Sequence, residues 1–217
     1  VDKESWRYII TDYRLPKALT AIFVGSGLAL SGLLMQTLFR NPLAGPYVLG
    51  ISSGASLGVA IIIMGASLFG GVFASYLNSG YSIAVASSLG SFLVLLAVVV
   101  ASARLRDTMA ILIIGLMFAS LTASVVSVLA YFSSAAQLQQ YMFWSFGSLG
   151  NLGWQELSIL GVTVGIGVIV SIFCLKNLNA LLLGEHYAKS LGVNIKKNRF
   201  LIIVATSLLA GSITAFA

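Results

Sequence analysis

Long apolar runs leave this chain few ways to fold. Six of them, roughly Pro16–Phe39, Tyr47–Phe69, Tyr81–Ala103, Thr108–Phe132, Leu157–Leu175 and Phe200–Ala217, reach or approach the ~20 residues that cross a hydrocarbon core. Gly, Ser and Ala are embedded in otherwise continuous apolar sequence, which predicts bundled helices; barrel strands would alternate every second residue. Charged residues make up 8% of the 217 and hydrophobic ones 59%, too few charges to cover a surface facing water. The expected fold is an all-α polytopic membrane protein, with about six transmembrane helices bundled in one domain over 1–217.

The connections between the runs carry charge in alternation. Arg40 follows the first run, and the next connection, Gly70 to Gly80, has no charge. Arg104, Arg106 and Asp107 mark the third, whereas Ser133 to Gln155 is again uncharged. The fifth holds Lys176, Lys189, Lys196, Lys197 and Arg199. Lys and Arg accumulate in cytoplasmic loops, so the first, third and fifth connections face the cytoplasm and the N-terminal segment lies outside. The net charge of +6 is therefore topological, and no nucleic-acid partner is implied. An outside start implies at least one helix before Val1, and the absent initiator Met agrees; the chain reads as a fragment truncated at both ends.

Most site chemistry is excluded. One Cys (Cys174) and one His (His186) make no disulfide and no ordinary zinc or haem centre, so no bound metal is expected, and Cys174 reads as a packing residue. Gly50-Ile51-Ser52-Ser53-Gly54 fits the pattern of a nucleophilic serine, but it opens an apolar helix far from the histidine. No phosphate-cradling G-x-x-x-x-G-K-S/T exists, so this chain binds no ATP and is no enzyme; any ATP is handled by a partner. No acidic pair sits at mid-membrane, which counts against an ion-coupled secondary transporter, the alternative function. Gly25 with Ala29, Gly27 with Ser31, Gly54 with Gly58, and Gly161 with Gly165 have the spacing that lets helices pack closely in lipid.

Four segments say more. Arg14-Leu15-Pro16-Lys17 sets two cations around a proline suited to a first helical turn, at the outer mouth of the first run. They suit docking of an acidic partner or simple anchoring in membrane lipid. Arg40-Asn41-Pro42-Leu43-Ala44-Gly45-Pro46 has two prolines four apart, which force a non-helical turn. The uncharged aromatic stretch with Gln140, Tyr141, Trp144, Ser145 and Gly147 is either an interfacial anchor or a short re-entrant helix beside a pathway. Finally, 177–199 is a long cytoplasmic loop. Gly184 breaks it, Glu185 to Leu191 can make two helical turns with Ala188 and Leu191 on one face, and Gly192 can cap them. Its leucines ask for a partner surface or the membrane interface.

In order, R-L-P-K at 14–17, S-G-x-x-x-Q at 31–36, R-N-P-L-A-x-P at 40–46, L-G-x-x-x-G-A at 49–55 and L-G-E-x-x-A-x-x-L-G at 183–192 run along essentially the whole chain. Together they resemble the iron-siderophore and cobalamin (FecCD-type) permeases of ABC importers. The resemblance implies about ten spans in the full subunit, a paired second permease copy, cytoplasmic ATPases and an external substrate-binding protein, in the bacterial inner membrane. ATP would sit on the partner, and the cargo would be a ferric siderophore or a related chelate such as haem or cobalamin. By the same resemblance Arg14 and Lys17 dock the binding protein, with Lys17 in place of the family's usual Arg. Gln140, Tyr141, Trp144, Ser145 and Gly147 flank the translocation path. Leu183, Gly184, Glu185, Ala188, Leu191 and Gly192 couple to the ATPase, and Arg40, Asn41, Pro42 and Leu43 form a structural turn.

Overall fold

A computed structural model describes residues 3–65, 80–104, 108–150 and 152–217. Among them are eight α-helices: α1 Lys3–Phe39, α2 Ile51–Ile63, α3 Gly80–Arg104, α4 Thr108–Phe132, α5 Ala135–Ser145, α6 Trp154–Leu182, α7 Glu185–Ser190 and α8 Ile195–Phe216. No strand occurs among the described residues. The chain is an all-α polytopic membrane protein. Helices α1, α4, α6 and α8 are long and apolar enough to cross a bilayer. Helix α3 is apolar over Ser82–Val98, and α2 is a shorter apolar helix of 13 residues. The expected connection from Gly70 to Gly80, up to residue 79, lies outside the described residues, as do Arg106, Asp107 and Asn151.

The first helix differs from expectation. Pro16 does not open it: α1 starts at Lys3 and runs on for 37 residues. A proline inside a helix clashes with the carbonyl four residues back and offers it no N–H. The chain absorbs this with a π-helical turn over Ile9–Arg14, whose wider ring directs the Leu15 N–H to the Ile10 carbonyl. At 1.5 Å per residue α1 is about 55 Å long. If its Arg40 end is cytoplasmic, Arg14 and Lys17 stand just beyond a ~30 Å hydrocarbon core on the other side.

Helix α2 is short because the chain before it crosses part of the same depth without being helical. After the turn at 40–44, Pro46–Leu49 forms one 3-10 turn, and Gly50 (φ +74°) redirects the backbone into α2. Leu49 and Ala44 are buried, and the Val48 carbonyl lies so near Gly115 of α4 that a Cβ there would sit 2.3 Å from it. Irregular backbone at membrane depth is tolerated only where protein shields it, and here α4 does so.

Glycine decides the α2–α3 contact. A Cβ on Gly90 would come within 2.1 Å of the Gly54 carbonyl oxygen, and one on Gly58 within 2.2 Å of the Ala86 carbonyl oxygen. The two backbones touch, as the small-residue spacing of Gly54 and Gly58 suggests. The other spacings divide. Gly27 meets Ile213 and Gly161 meets Phe23, whereas Gly25 and Gly165 face open space and pack nothing.

Leu34, Met35, Phe39, Leu49, Leu160, Cys174, Ile202, Ile203 and Leu209 form the main core, with Cys174 packed as a small apolar residue. Over its most apolar window α8 is 56% buried and α4 only 17%. Helix α8 is therefore the hub and α4 lies at the edge, its Ile113, Met117 and Leu121 turned outward to lipid or a neighbour.

Candidate translocation cavity and coupling end

A cavity of about 660 Å³ opens among α1, α2, α3, α5, α6 and α8, within the size range of sites for drug-sized ligands. Trp144, Ser145 and Gly147 line it together with Tyr47, Ser52, Ser56, Glu156 and Thr214. Tyr141 stands one step behind, its hydroxyl hydrogen-bonded to that of Ser56 on the wall. Gln140 is half-buried and is not on the wall. Glu156 contributes a carboxylate, held because it accepts the Gly153 N–H at 3.1 Å and so caps the start of α6. The G-x-S-x-G serine, Ser52, lies on this wall, whereas His186 is exposed on α7.

At 11 residues, about 16 Å, α5 is too short to cross a membrane. Its start is fixed by a capping box: Ser134 Oγ accepts the Gln137 N–H, and Gln137 Oε1 accepts the Ser134 N–H at 3.0 Å. The Gln137 amide then donates to the Ile63 carbonyl at 3.0 Å, which satisfies an open carbonyl at the end of α2. Sequence reading missed this cap, although S-x-x-Q is its signature; the bridge from the glutamine to α2 has no signature at all. Gly147 is in the left-handed region (φ +72°), and a Cβ there would meet the Ala217 carbonyl at 2.5 Å.

The opposite end gathers the ends of α1 and α6 with α7 and the start of α8. The stretch 177–199, expected as one loop, is mostly helical: α6 continues to Leu182 and α8 begins at Ile195, leaving short joints around α7. Asn177, Asn179, Lys196 and Lys197 are polar but sit in helix ends, where they can reach water. Gly184 (φ +122°) separates α6 from α7. Gly192 (φ +80°) closes α7 in a Schellman motif, its N–H donating to the Lys189 carbonyl and the Val193 N–H to the Ala188 carbonyl, both at 3.0 Å.

Ala188 and Leu191 do not share a face. Ala188 is fully buried and holds α7 down; Leu191 follows the last helical residue, Ser190, and is 59% exposed. Leu182, Leu183 and Tyr187 are exposed beside it. Tyr187 is a member of this apolar surface that sequence reading missed, because its neighbours Glu185, His186 and Lys189 are polar. Glu185 Oε1 lies 3.5 Å from Nη2 of the buried Arg199, an ion pair that ties the start of α7 to α8.

The turn at 40–43 is rigid. Asn41 Oδ1 accepts the Leu43 N–H at 2.9 Å, and the Gln36 amide donates to the Pro42 carbonyl at 2.9 Å. Leu43 stabilises the turn through that N–H alone, since the residue is 89% exposed. Arg40 closes α1 in the left-handed region (φ +47°), with the Asn41 N–H donating to the Gln36 carbonyl at 3.2 Å. It is the one non-glycine residue with positive φ among the described residues, in a conformation that costs an L-residue about 1–2 kcal/mol. Its guanidinium donates to the Leu181 carbonyl at 3.1 Å. At the cavity end of α1, Arg14 and Lys17 are exposed, and Lys17 Cδ would lie 4.0 Å from a Cβ on Gly150, which places its stem against the loop after α5.

Residues 2–217 match the model of the FecCD transport family. The chain belongs to that family. Its relatives include the hemin transport system permease HmuU of Yersinia pestis, 37% identical over 96% of this chain and 61% of that protein. The vitamin B12 import permease BtuC of Vibrio cholerae is 35% identical over 95% and 60%, and the molybdate import permease MolB of Haemophilus influenzae is 34% identical over 95% and 58%. The chain thus spans about three-fifths of the length of these curated relatives. A solved structure of a metal-chelate type ABC transporter in an inward-facing conformation superposes with a TM-score of 0.84 at 31% identity, over 99% of this chain and 66% of that one.

Proposed function

We propose that this chain belongs to the membrane-spanning permease of an ATP-driven importer that carries a ferric siderophore, or a related chelate such as haem or cobalamin, across the bacterial inner membrane. The observation that carries the reading is the exposed apolar surface of Leu182, Leu183, Tyr187 and Leu191 on and around a short helix closed by a Schellman motif, at the end of the bundle away from the cavity. Such a surface suits a cytoplasmic ATPase, which would bind and hydrolyse the ATP. Arg14 and Lys17 suit an acidic face of an external binding protein. The outward face of α4, with Ser120, Ser124 and Ser127 among its apolar residues, suits a second permease copy, so that cargo passes between two subunits. The relatives named for hemin and vitamin B12 support a chelate, and the one named for molybdate marks how far cargo varies within the family.

The mechanism is mechanical. ATP closes the ATPase pair, α7 is displaced, and the paired permeases tilt between outward and inward openings. The test uses the intact protein with its ATPase and binding protein in liposomes, following ATP-dependent uptake of a labelled ferric siderophore. Uptake that requires all three is expected. ATP hydrolysis without siderophore uptake would redirect the cargo to haem or cobalamin. Uptake insensitive to vanadate and abolished by a protonophore would overturn the ATP-driven reading in favour of an ion-coupled carrier.

A further inference from the structure

Arg40 presents a contradiction that the turn alone does not explain. At φ +47° glycine or asparagine would close α1 at lower cost, yet a long cationic side chain stands there. That side chain reaches 141 positions along the chain to the Leu181 carbonyl in the last turn of α6. The Leu181 carbonyl accepts the Gly184 N–H at 3.1 Å and offers its second lone pair at the negative end of the α6 dipole, where a guanidinium is well matched. Gly184, between α6 and α7, borders it: a Cβ there would lie 4.0 Å from Arg40 Nη2, an ordinary contact.

We propose that Arg40 is a positioning residue that clamps the root of the coupling helix α7 to the α1–α2 turn, so that displacement of α7 reaches the cavity wall. This rests on the coupling reading of α7 given above. Beyond Arg40, hydrogen bonds brace the turn and its 3-10 continuation. The Ala44 N–H donates to the Asn41 carbonyl at 3.0 Å, the Val48 N–H to that of Gly45 at 3.3 Å and the Gly50 N–H to that of Tyr47 at 2.9 Å. Tyr47 and Ser52 are on the wall itself. A segment tied at this spacing transmits a push where a slack loop would absorb it. The Glu185–Arg199 pair ties α7 itself to α8, so one cation holds α7 and a second, Arg40, holds the end of α6 from which it springs.

The unusual φ supplies the test. In the full-length permease, co-purified with its ATPase and binding protein, Arg40→Gly keeps or eases the backbone turn while removing the clamp. The expected result is an assembled complex that melts no lower than wild type and hydrolyses ATP, but moves about fivefold less chelate per ATP. Arg40→Lys, which can still offer one N–H to the carbonyl, is expected to recover part of that ratio. A Gly variant with wild-type uptake per ATP would overturn the clamp. Should Arg40→Gly not assemble, Arg40→Asn, also at ease at this φ, is measured in the same way. If both are lost through unfolding, the side chain holds the turn itself and the proposal fails. Failure of the wild-type complex to couple ATP to uptake would instead refute the importer reading on which the clamp depends.

Discussion

The α2–α3 contact and the α7 end are built on opposite principles. Between α2 and α3, Gly54, Gly58 and Gly90 bring backbone against backbone, with the Val94 side chain closing over Gly54. Around α7 a buried alanine, one ion pair, two left-handed glycines and one arginine hold a small helix in place, while Tyr187 and the leucines that flank it stay exposed. The first is a joint meant to stay shut and the second a surface left open for something else. Substitutions should therefore act on stability in the one and on association in the other.

The sharpest break comes at Gly90. Gly90→Val puts side-chain carbon where a Cβ already has 2.1 Å to a carbonyl, and overpacking against backbone is expected to cost about 3 kcal/mol or more. Monodisperse yield and melting temperature in detergent would show it, with Gly25→Ala, in open space, as the silent control. A Gly90→Val protein as stable as wild type would mean that the two helices are separable. Next is Leu191→Arg, expected to leave melting unchanged but to weaken ATPase association at least tenfold, because it charges an apolar contact surface. Intact co-purification and transport of that variant would remove α7 from the interface.

Gln137→Ala breaks a capping box and bares the Ile63 carbonyl, for an expected loss of about 1–2 kcal/mol. Thermal unfolding within error of wild type would show that α5 is not anchored to α2 through this amide. Smallest is charge reversal at Arg14 and Lys17 together. It should leave stability alone and weaken binding-protein affinity, with the effect fading as salt shortens the Debye length from about 10 Å at 0.1 M. Equal affinity at low salt would take those cations out of the docking surface.

The parts legible in the sequence are those that lipid imposes. Apolar run length marked the four helices long enough to cross a bilayer, and glycine and proline marked the breaks at 40–46, 184 and 192. What escaped lies where backbone is the partner. Arg40 reads as a loop cation because the Leu181 carbonyl has no sequence signature. Pro16 reads as a helix start because a π-helical turn leaves none either. Leu191 was paired with Ala188 by helical spacing, but the helix ends one residue before it, so the periodicity stops applying. Among the residues expected beside a pathway, Trp144, Ser145 and Gly147 share a cavity wall because α5 lies beside α2, whereas Gln140 is not on it.

The wedge of non-helical backbone at 45–50 bears on how the protein is made. A newly synthesised segment entering the bilayer must hide its own peptide groups, and Ile51–Ile63 supplies only 13 helical residues, about 20 Å, of self-sufficient span. The surface that covers Val48 is Gly115, on a helix that leaves the ribosome later. Gly115 also lies against Leu49, which is fully buried, and accessibility labelling of Leu49→Cys in chains truncated before and after α4 should find it wet first and dry second. Insertion of the second apolar segment is then completed by the fourth, and biogenesis in this region follows the order in which helices meet rather than the order in which they are translated.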